Sequence, residues 1–265
     1  MYSLITLISD YGLDSPYVAA IKGAVYSKIP DSLLVEITNQ VSPFDLSQTA
    51  FILSSIYKNF PPGTWHIIGV DTNIALNKQF LIVESDGHYF IGADNGIFSM
   101  LFDPLPDKVY RILESNYSQN ELFADKNVFV PVIAQFLKQA NYKGLAEPAK
   151  VENIKQGIQP LVEENLIRGA VMFVDGFNNS ITNIHKSLFE EVVKGRDFTL
   201  FYWGKHSISK LSKHYHDGKA GDDVLLFNEN GFLEIAMNRG RGAQLLGLKV
   251  GSKIVVEISE EGGNQ

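Results

Sequence analysis

The chain has 265 residues, 45% of them hydrophobic and 20% charged, enough for one large or two modest soluble domains with sizeable cores. It has no cysteine and a formal net charge of −7, which excludes disulfides, thiolate metal sites and a cysteine nucleophile and argues against a non-specific nucleic-acid surface. No apolar run approaches the roughly 18 residues of a membrane span, and no basic region leads into a signal-peptide core, so a cytoplasmic protein with no membrane or nucleic-acid partner is expected.

The first predicted strand, from Ile5, ends abruptly in Ser9-Asp10-Tyr11-Gly12. A helix follows from Tyr17 to about Ser27, capped by Asp14 or Ser15, with Pro16 suited to its first turn. In open α/β sheets, ligands bind beyond the carboxyl ends of strands. Asp10 stands there, where a carboxylate either accepts hydrogen bonds from a ribose diol or makes only a local turn. Leu33–Ile37 reads as a second strand and Leu46–Tyr57 as a helix capped by Asp45. Trp65–Val70 is the third strand, and Asp71 ends it. Two carboxylates at comparable strand ends, Asp10 and Asp71, could therefore flank one crevice. Phe80–Glu84 and His88–Gly92 predict a hairpin around Ser85-Asp86-Gly87. A short helix over Ile97–Phe102, a strand over Val109–Leu113, a polar loop from Asn116 to Asn127 and a helix over Val128–Ala140 complete this half.

Pro148, Gly157 and Pro160 interrupt the pattern, so a linker is placed between Pro148 and Asn165, with domains at 1–155 and 165–265. Beyond it, Leu166–Asp175, Asp197–Trp203, Asp223–Asn228 and Lys253–Ile258 read as strands, with one short helix near His185–Val193. Strand following strand favours a small antiparallel barrel or sandwich. Glu260–Gln265 reads as a frayed tail. The amides of Asn178-Asn179-Ser180-Ile181-Thr182-Asn183 can read an adenine edge, or they form a polar turn. His206, His214 and His216 have no spacing that enforces a metal site and read as surface residues. Arg239-Gly240-Arg241-Gly242 is too short for nucleic-acid binding and reads as a loop. No phosphate loop, dinucleotide fingerprint or serine-nucleophile elbow is present.

Taken together, these stretches make the chain resemble the S-adenosylmethionine hydroxide adenosyltransferases, or S-adenosylmethionine hydrolases, relatives of the fluorinases and chlorinases. The markers are Ser9-Asp10-Tyr11-Gly12, Pro16-Tyr17-Val18 with Lys22-Gly23, and Ser42-Pro43-Phe44-Asp45. Asp94-Asn95-Gly96, Asp175-Gly176-Phe177-Asn178-Asn179-Ser180-Ile181-Thr182-Asn183, Asn230-Gly231-Phe232-Leu233-Glu234-Ile235-Ala236 and Leu245-Leu246-Gly247-Leu248 follow. The resemblance implies an N-terminal α/β domain, with a central mostly parallel sheet flanked by helices, and a smaller all-β C-terminal barrel. It implies a homotrimer with sites between the N-domain of one subunit and the C-domain of its neighbour. It implies attack on the ribose C5′ of S-adenosylmethionine, which is substrate or ligand, with no other cofactor and no metal. Asp10 would bind the ribose hydroxyls and Phe44 would pack on the ligand. Phe177 and Asn179 would hold adenine, helped by Tyr215, and Asp175 belongs to the same substrate-binding loop.

The resemblance has departures. Of the family's water-handling Asp, Arg and His, Asp71 matches the Asp. The Arg position falls on Lys78 and the His position on Ala124, with Asp125 where a glycine follows. The halide pocket of the halogenases is absent, and a carboxylate there would repel a halide. Two functions are weighed. One is a hydrolase in which Asp71 orients water, Lys78 supplies charge without the planar fork of Arg, and Asp125 stands in as base. The other is a non-catalytic trimer, a sensor or structural protein, that binds adenosyl compounds, with Asp71 and Lys78 an ion pair worth about 0–1 kcal/mol.

Overall fold

The computed structural model describes residues 2–73, 79–118, 121–202 and 206–259. They fall into two compact units, Met1–Gly157 and Ile158–Gln265. In the first unit the order is β1 (Ser3–Ser9), α1 (Pro16–Lys28), β2 (Ser32–Thr38), α2 (Leu46–Ile56), β3 (Trp65–Gly69), β4 (Phe80–Ser85) and β5 (His88–Ala93). Then come α3 (Ile97–Leu101), β6 (Lys108–Ile112), α4 (Val130–Gln139) and β7 (Ala146–Pro148).

The strands form one sheet in the order β2-β1-β3-β5-β4-β6-β7. The first three neighbour pairs are parallel and the remaining three antiparallel. Alternation along the strands sorts the core onto two faces. Leu7 and Ile67 pack with Val18, Ile21 and Val25 of α1 and Ile133 of α4. Ile8 and Ile68 pack on the other face with Leu46 and Leu53 of α2 and Phe98 of α3. Covering both faces explains why these strands read as unbroken apolar runs. The caps are local and polar. Ser15 Oγ accepts from the Tyr17 N–H, and Asp45 Oδ1 accepts from the Gln48 N–H at 2.9 Å.

Two features of this unit differ from the sequence expectation. The polar loop does not run to Asn127, because a π-helical turn, Asp125–Phe129, leads directly into α4. The short β7 pairs antiparallel with β6.

The second unit contains β8 (Leu161–Glu163), β9 (Leu166–Val174), β10 (Ser180–His185), α5 (Lys186–Val193), β11 (Phe198–Tyr202) and β12 (His206–Ile208). It continues with β13 (Asp223–Phe227), β14 (Phe232–Met237), α6 (Gly242–Leu245) and β15 (Lys253–Ile258). The order is β12-β11-β15-β9-β10-β14-β13, with β8 pairing on β9. The sheet is nearly closed. Tyr202 on β11 donates to Asp223 on β13, and the Ser212 N–H donates to the Leu225 carbonyl at 2.7 Å. Ile167, Leu225, Ile235 and Val256 fill the inside.

Four strands of this unit are missing from the sequence expectation, β8, β10, β12 and β14, and two of them have a clear physical reason. β8 lies in the expected linker, and all three of its residues are exposed, so its backbone pairing leaves no hydrophobic signature. β10 buries Ser180 and Thr182, and Thr182 Oγ1 is satisfied by donating to the Leu233 carbonyl at 2.8 Å. Trp203 and the tail 260–265 lie outside the described residues.

A buried polar chain crosses the first sheet. Thr6 and His66 are register partners, Thr6 Oγ1 lies 2.8 Å from His66 Nδ1, and His66 Nε2 lies 3.2 Å from His88 Nδ1. Burial first, and the His88 charge second, hold the His66 pKa down to about 3. The unfolded chain therefore binds a proton below about pH 6.5 that the folded chain refuses. Stability should fall as pH drops from 6.5 to 5, by up to about 1.4 kcal/mol per pH unit for this group, and His66→Phe should flatten the slope. Urea unfolding across that window tests it. Parallel slopes for parent and variant would show that His66 does not stay neutral.

Candidate active site

Ser9 and Gly69, the last residues of β1 and β3, are register partners. The chain beyond each strand therefore emerges side by side, bringing Asp10-Tyr11 next to Asp71-Thr72. A cavity of about 290 Å³ opens there, and Asp10, Tyr11, Phe44, Asp71, Thr72 and Phe123 contribute to its wall.

Asp10 makes more than a local turn. Its Oδ2 accepts from the Phe44 N–H at 2.9 Å, across 34 residues of sequence, and so ties the loop after β2 to the end of β1. Phe44 is 65% exposed and lies in the left-handed region at φ 65°, as does Asp71 at φ 49°. An L-residue pays roughly 1–2 kcal/mol to sit there, so each needs a tether. For Phe44 the tether is Asp10. For Asp71 it is buried Asn95, whose Nδ2 donates to the carbonyls of Val70 at 3.0 Å and Asp71 at 3.1 Å. That gives Asp94-Asn95-Gly96 a structural reason. Asp94 is buried and accepts from Gln79 Nε2 and the Glu152 N–H, both at 3.0 Å. Gly96 takes φ 102° to start α3.

Asp125 is fully buried and does not line the cavity. It sits immediately behind the wall. Tyr11 donates a short hydrogen bond to its Oδ2, and Thr72 Oγ1 donates to the same oxygen at 3.1 Å. Oδ1 is buried and, among the described residues, has no hydrogen-bond partner. It packs against Gly69, where an added Cβ would lie 3.0 Å away. Burial is the main cause that lifts the Asp125 pKa to about 6; the Tyr11 and Thr72 hydrogen bonds oppose the rise, and the Asp10 charge adds to it. Burial and Asp125 also push the Tyr11 phenol well above its usual range. Ala124 is 2% exposed and packs in the core, so a small methyl fills the position where the resemblance puts His. Lys78 lies outside the described residues.

The second unit holds the remaining sequence candidates. Asp175 Oδ1 accepts from the backbone N–H groups of Phe177 at 2.9 Å and Asn179 at 2.8 Å, and Oδ2 accepts from Asn179 Nδ2 at 3.1 Å. This turn buries Asn179 and leaves Phe177 81% exposed. Tyr215 donates to Glu234 Oε1 at 2.9 Å, and Asn228 Nδ2 donates to Oε2 at 3.2 Å. Burial lifts the Glu234 carboxyl above its ordinary range, with the Asp175 charge adding to the rise. Burial and the Glu234 bond push Tyr215 up to about 12. Asp175, Phe177, Asn179 and Tyr215 therefore share one neighbourhood. His206, His214 and His216 are exposed, and the His214 and His216 rings stack at 5.2 Å. Among the described residues, no group of three or more His, Cys, Asp or Glu could hold a metal ion.

Tyr11, Thr72, Asn95 and Glu234 were not predicted as site residues from the sequence. Each has a visible signal. Tyr11 and Thr72 immediately follow the two strand-end carboxylates, Asn95 sits in a quoted marker, and Glu234 is a lone charge inside an apolar strand.

Residues 5–146 match the family model of the SAM hydroxide adenosyltransferase N-terminal domain, and residues 169–255 match that of its C-terminal domain. An (R)-S-adenosyl-L-methionine hydrolase of Methanocaldococcus jannaschii is 29% identical over 259 residues, covering 92% of this chain and 91% of its own. One of the same name from Thermus thermophilus is 26% identical over 263 residues, covering 93% and 96%. The crystal structure of an uncharacterized conserved protein from Thermotoga maritima superposes with a TM-score of 0.84 at 26% identity, over 95% of this chain and 99% of that one.

The tether of Asp71 is open to test. Asn95→Ala strips the donors from two carbonyls and should cost about 1–3 kcal/mol in urea unfolding. A loss below a few tenths would show that the left-handed turn holds itself.

Proposed function

The chain belongs to the SAM hydroxide adenosyltransferase family, and from that premise we propose that it hydrolyses S-adenosylmethionine to adenosine and methionine, with water attacking the ribose C5′. The observation that carries this reading is the pair of strand-end carboxylates, Asp10 and Asp71, on one cavity wall beside an exposed aromatic, Phe44. The sulfonium departs as a neutral thioether and needs no acid. The site has only to align water opposite the C5′–S bond and partly dry it.

In this reading Asp10 accepts from the ribose hydroxyls while its Oδ2 keeps the Phe44 loop in place, and Phe44 packs on the ligand. Asp71 orients the water, Lys78 supplies positive charge, and Asp125 takes the place of the missing imidazole as base. Phe177 stacks on adenine, Asn179 reads its edge, and Tyr215 completes that pocket. These last residues come from a second copy in a homotrimer. The relatives are named for the (R)-epimer at sulfur, and we take the same epimer as the substrate here. Both epimers offer the same C5′–S bond, so discrimination falls to where the methyl and methionine arms can be seated.

Incubation with each epimer, followed by chromatography, should show adenosine release, faster from the (R)-form. Asp71→Asn should lower the rate by about 10²–10⁴-fold, the usual range for a positioned acid–base group. Intact S-adenosylmethionine bound with no adenosine released would make the protein a binder only. Sedimentation at micromolar concentration should give the mass of three chains, and a monomer would sink the shared pocket.

A further inference from the structure

We propose that Asp125 is the internal proton acceptor of this site and that the Tyr11 hydroxyl carries the proton to it from the cavity. The proposal rests on the hydrolysis reading above and adds to it the route by which water is deprotonated.

The geometry leaves Asp125 no direct access. It is fully buried, yet two residues of the cavity wall, Tyr11 and Thr72, aim their hydroxyls at one of its oxygens, while the other oxygen has no hydrogen-bond partner among the described residues. No Lys or Arg pairs with it among the described residues. A buried carboxylate without a cation is a poor structural element. An amide would accept from the same two hydroxyls without the burden of a charge. What an amide lacks is the capacity to take a proton.

The step balances. The water oxygen forms the bond to C5′ as its proton passes to Tyr11 Oη. The phenolic proton passes to Asp125 Oδ2. The C5′–S bond breaks with its electron pair remaining on sulfur, giving neutral methionine and adenosine. Asp125 then returns the proton to solvent by the same path. Tyr11 is neutral before and after, in keeping with a phenol whose ionisation burial and Asp125 oppose. Thr72 holds Oδ2 in line. Asp125 is a positioning and proton-accepting residue, and it acts through Tyr11.

The ionisable groups acting on Asp125 are Tyr11, which donates to it, and Asp10, whose charge opposes its ionisation. The elements packed on its turn are α1, β3 and β5, besides α4, which continues it. Their titratable groups engage other partners: Lys22 of α1 pairs with Glu36, and the neutral His66 of β3 shares a hydrogen bond with His88 of β5. A group titrating near pH 6, where burial holds Asp125, is deprotonated at neutral pH and ready to accept.

The test is kcat against pH from 5 to 8 for the parent, Tyr11→Phe, Asp125→Asn and Asp71→Asn, each checked for folding by its melting temperature. The parent rate should rise about tenfold per pH unit up to about pH 6 and then level. Tyr11→Phe and Asp125→Asn should lose that rise and about 10²-fold or more in kcat, with KM little changed. Asp71→Asn should lose rate yet keep the rise. If the first two variants do not fold, the parent alone decides: rates in mixtures of light and heavy water should curve downward, as two protons in flight require, and a straight line overturns the relay. Asp125→Asn with parental kcat and an unchanged profile also overturns it, leaving hydrolysis intact. A parent that releases no adenosine overturns both.

Discussion

A carboxylate seated against a missing side chain sets the geometry of the first unit's cavity. β1 and β3 end together at Ser9 and Gly69, and the absence of a Cβ at position 69 leaves room for Asp125. Three segments meet on that group. The end of β1 brings Tyr11, the end of β3 brings Thr72, and the turn before α4 brings Asp125 itself. A π-helical turn is a local departure from regular winding that often accompanies functional sites. Here it turns a charged side chain inward from what would otherwise be a surface loop.

The cavity wall is also held under backbone strain. Phe44 and Asp71 both occupy the left-handed region without being glycine, and each is tied by a side chain distant in sequence, Asp10 in one case and Asn95 in the other. Strain that persists under such tethers is a form of pre-organisation. On the proposed reading, the aromatic ring and the carboxylate are already oriented before a ligand binds, so binding need not supply the ordering.

Much of this was legible in the residues. The apolar runs at Ile5–Ser9 and Trp65–Val70, and the capping positions Ser15 and Asp45, gave the sheet and its helices because burial and capping leave direct marks. Asp10 and Asp71 could be paired at strand ends by topology alone. Asp10's partner could not be read, because a tie to a backbone N–H 34 residues away has no signature in side-chain identity. Periodicity alone leaves Asp125 in a polar loop, and only the family resemblance marked it as a base; its burial could not be read, since a single π turn carries no periodicity. In the second unit, β8 exposes every side chain and β10 buries hydroxyls, so neither shows the alternation by which strands are found.

The contact between Gly69 and Asp125 also constrains what either position can become. An alanine at 69 would bring a methyl to 3.0 Å from the carboxylate oxygen and 3.2 Å from the Ser9 Cβ, so its neighbours would have to give by a few tenths of an ångström. The two positions are therefore coupled: a side chain at 69 and the acid at 125 compete for the same space, so the effects of substituting each should not add.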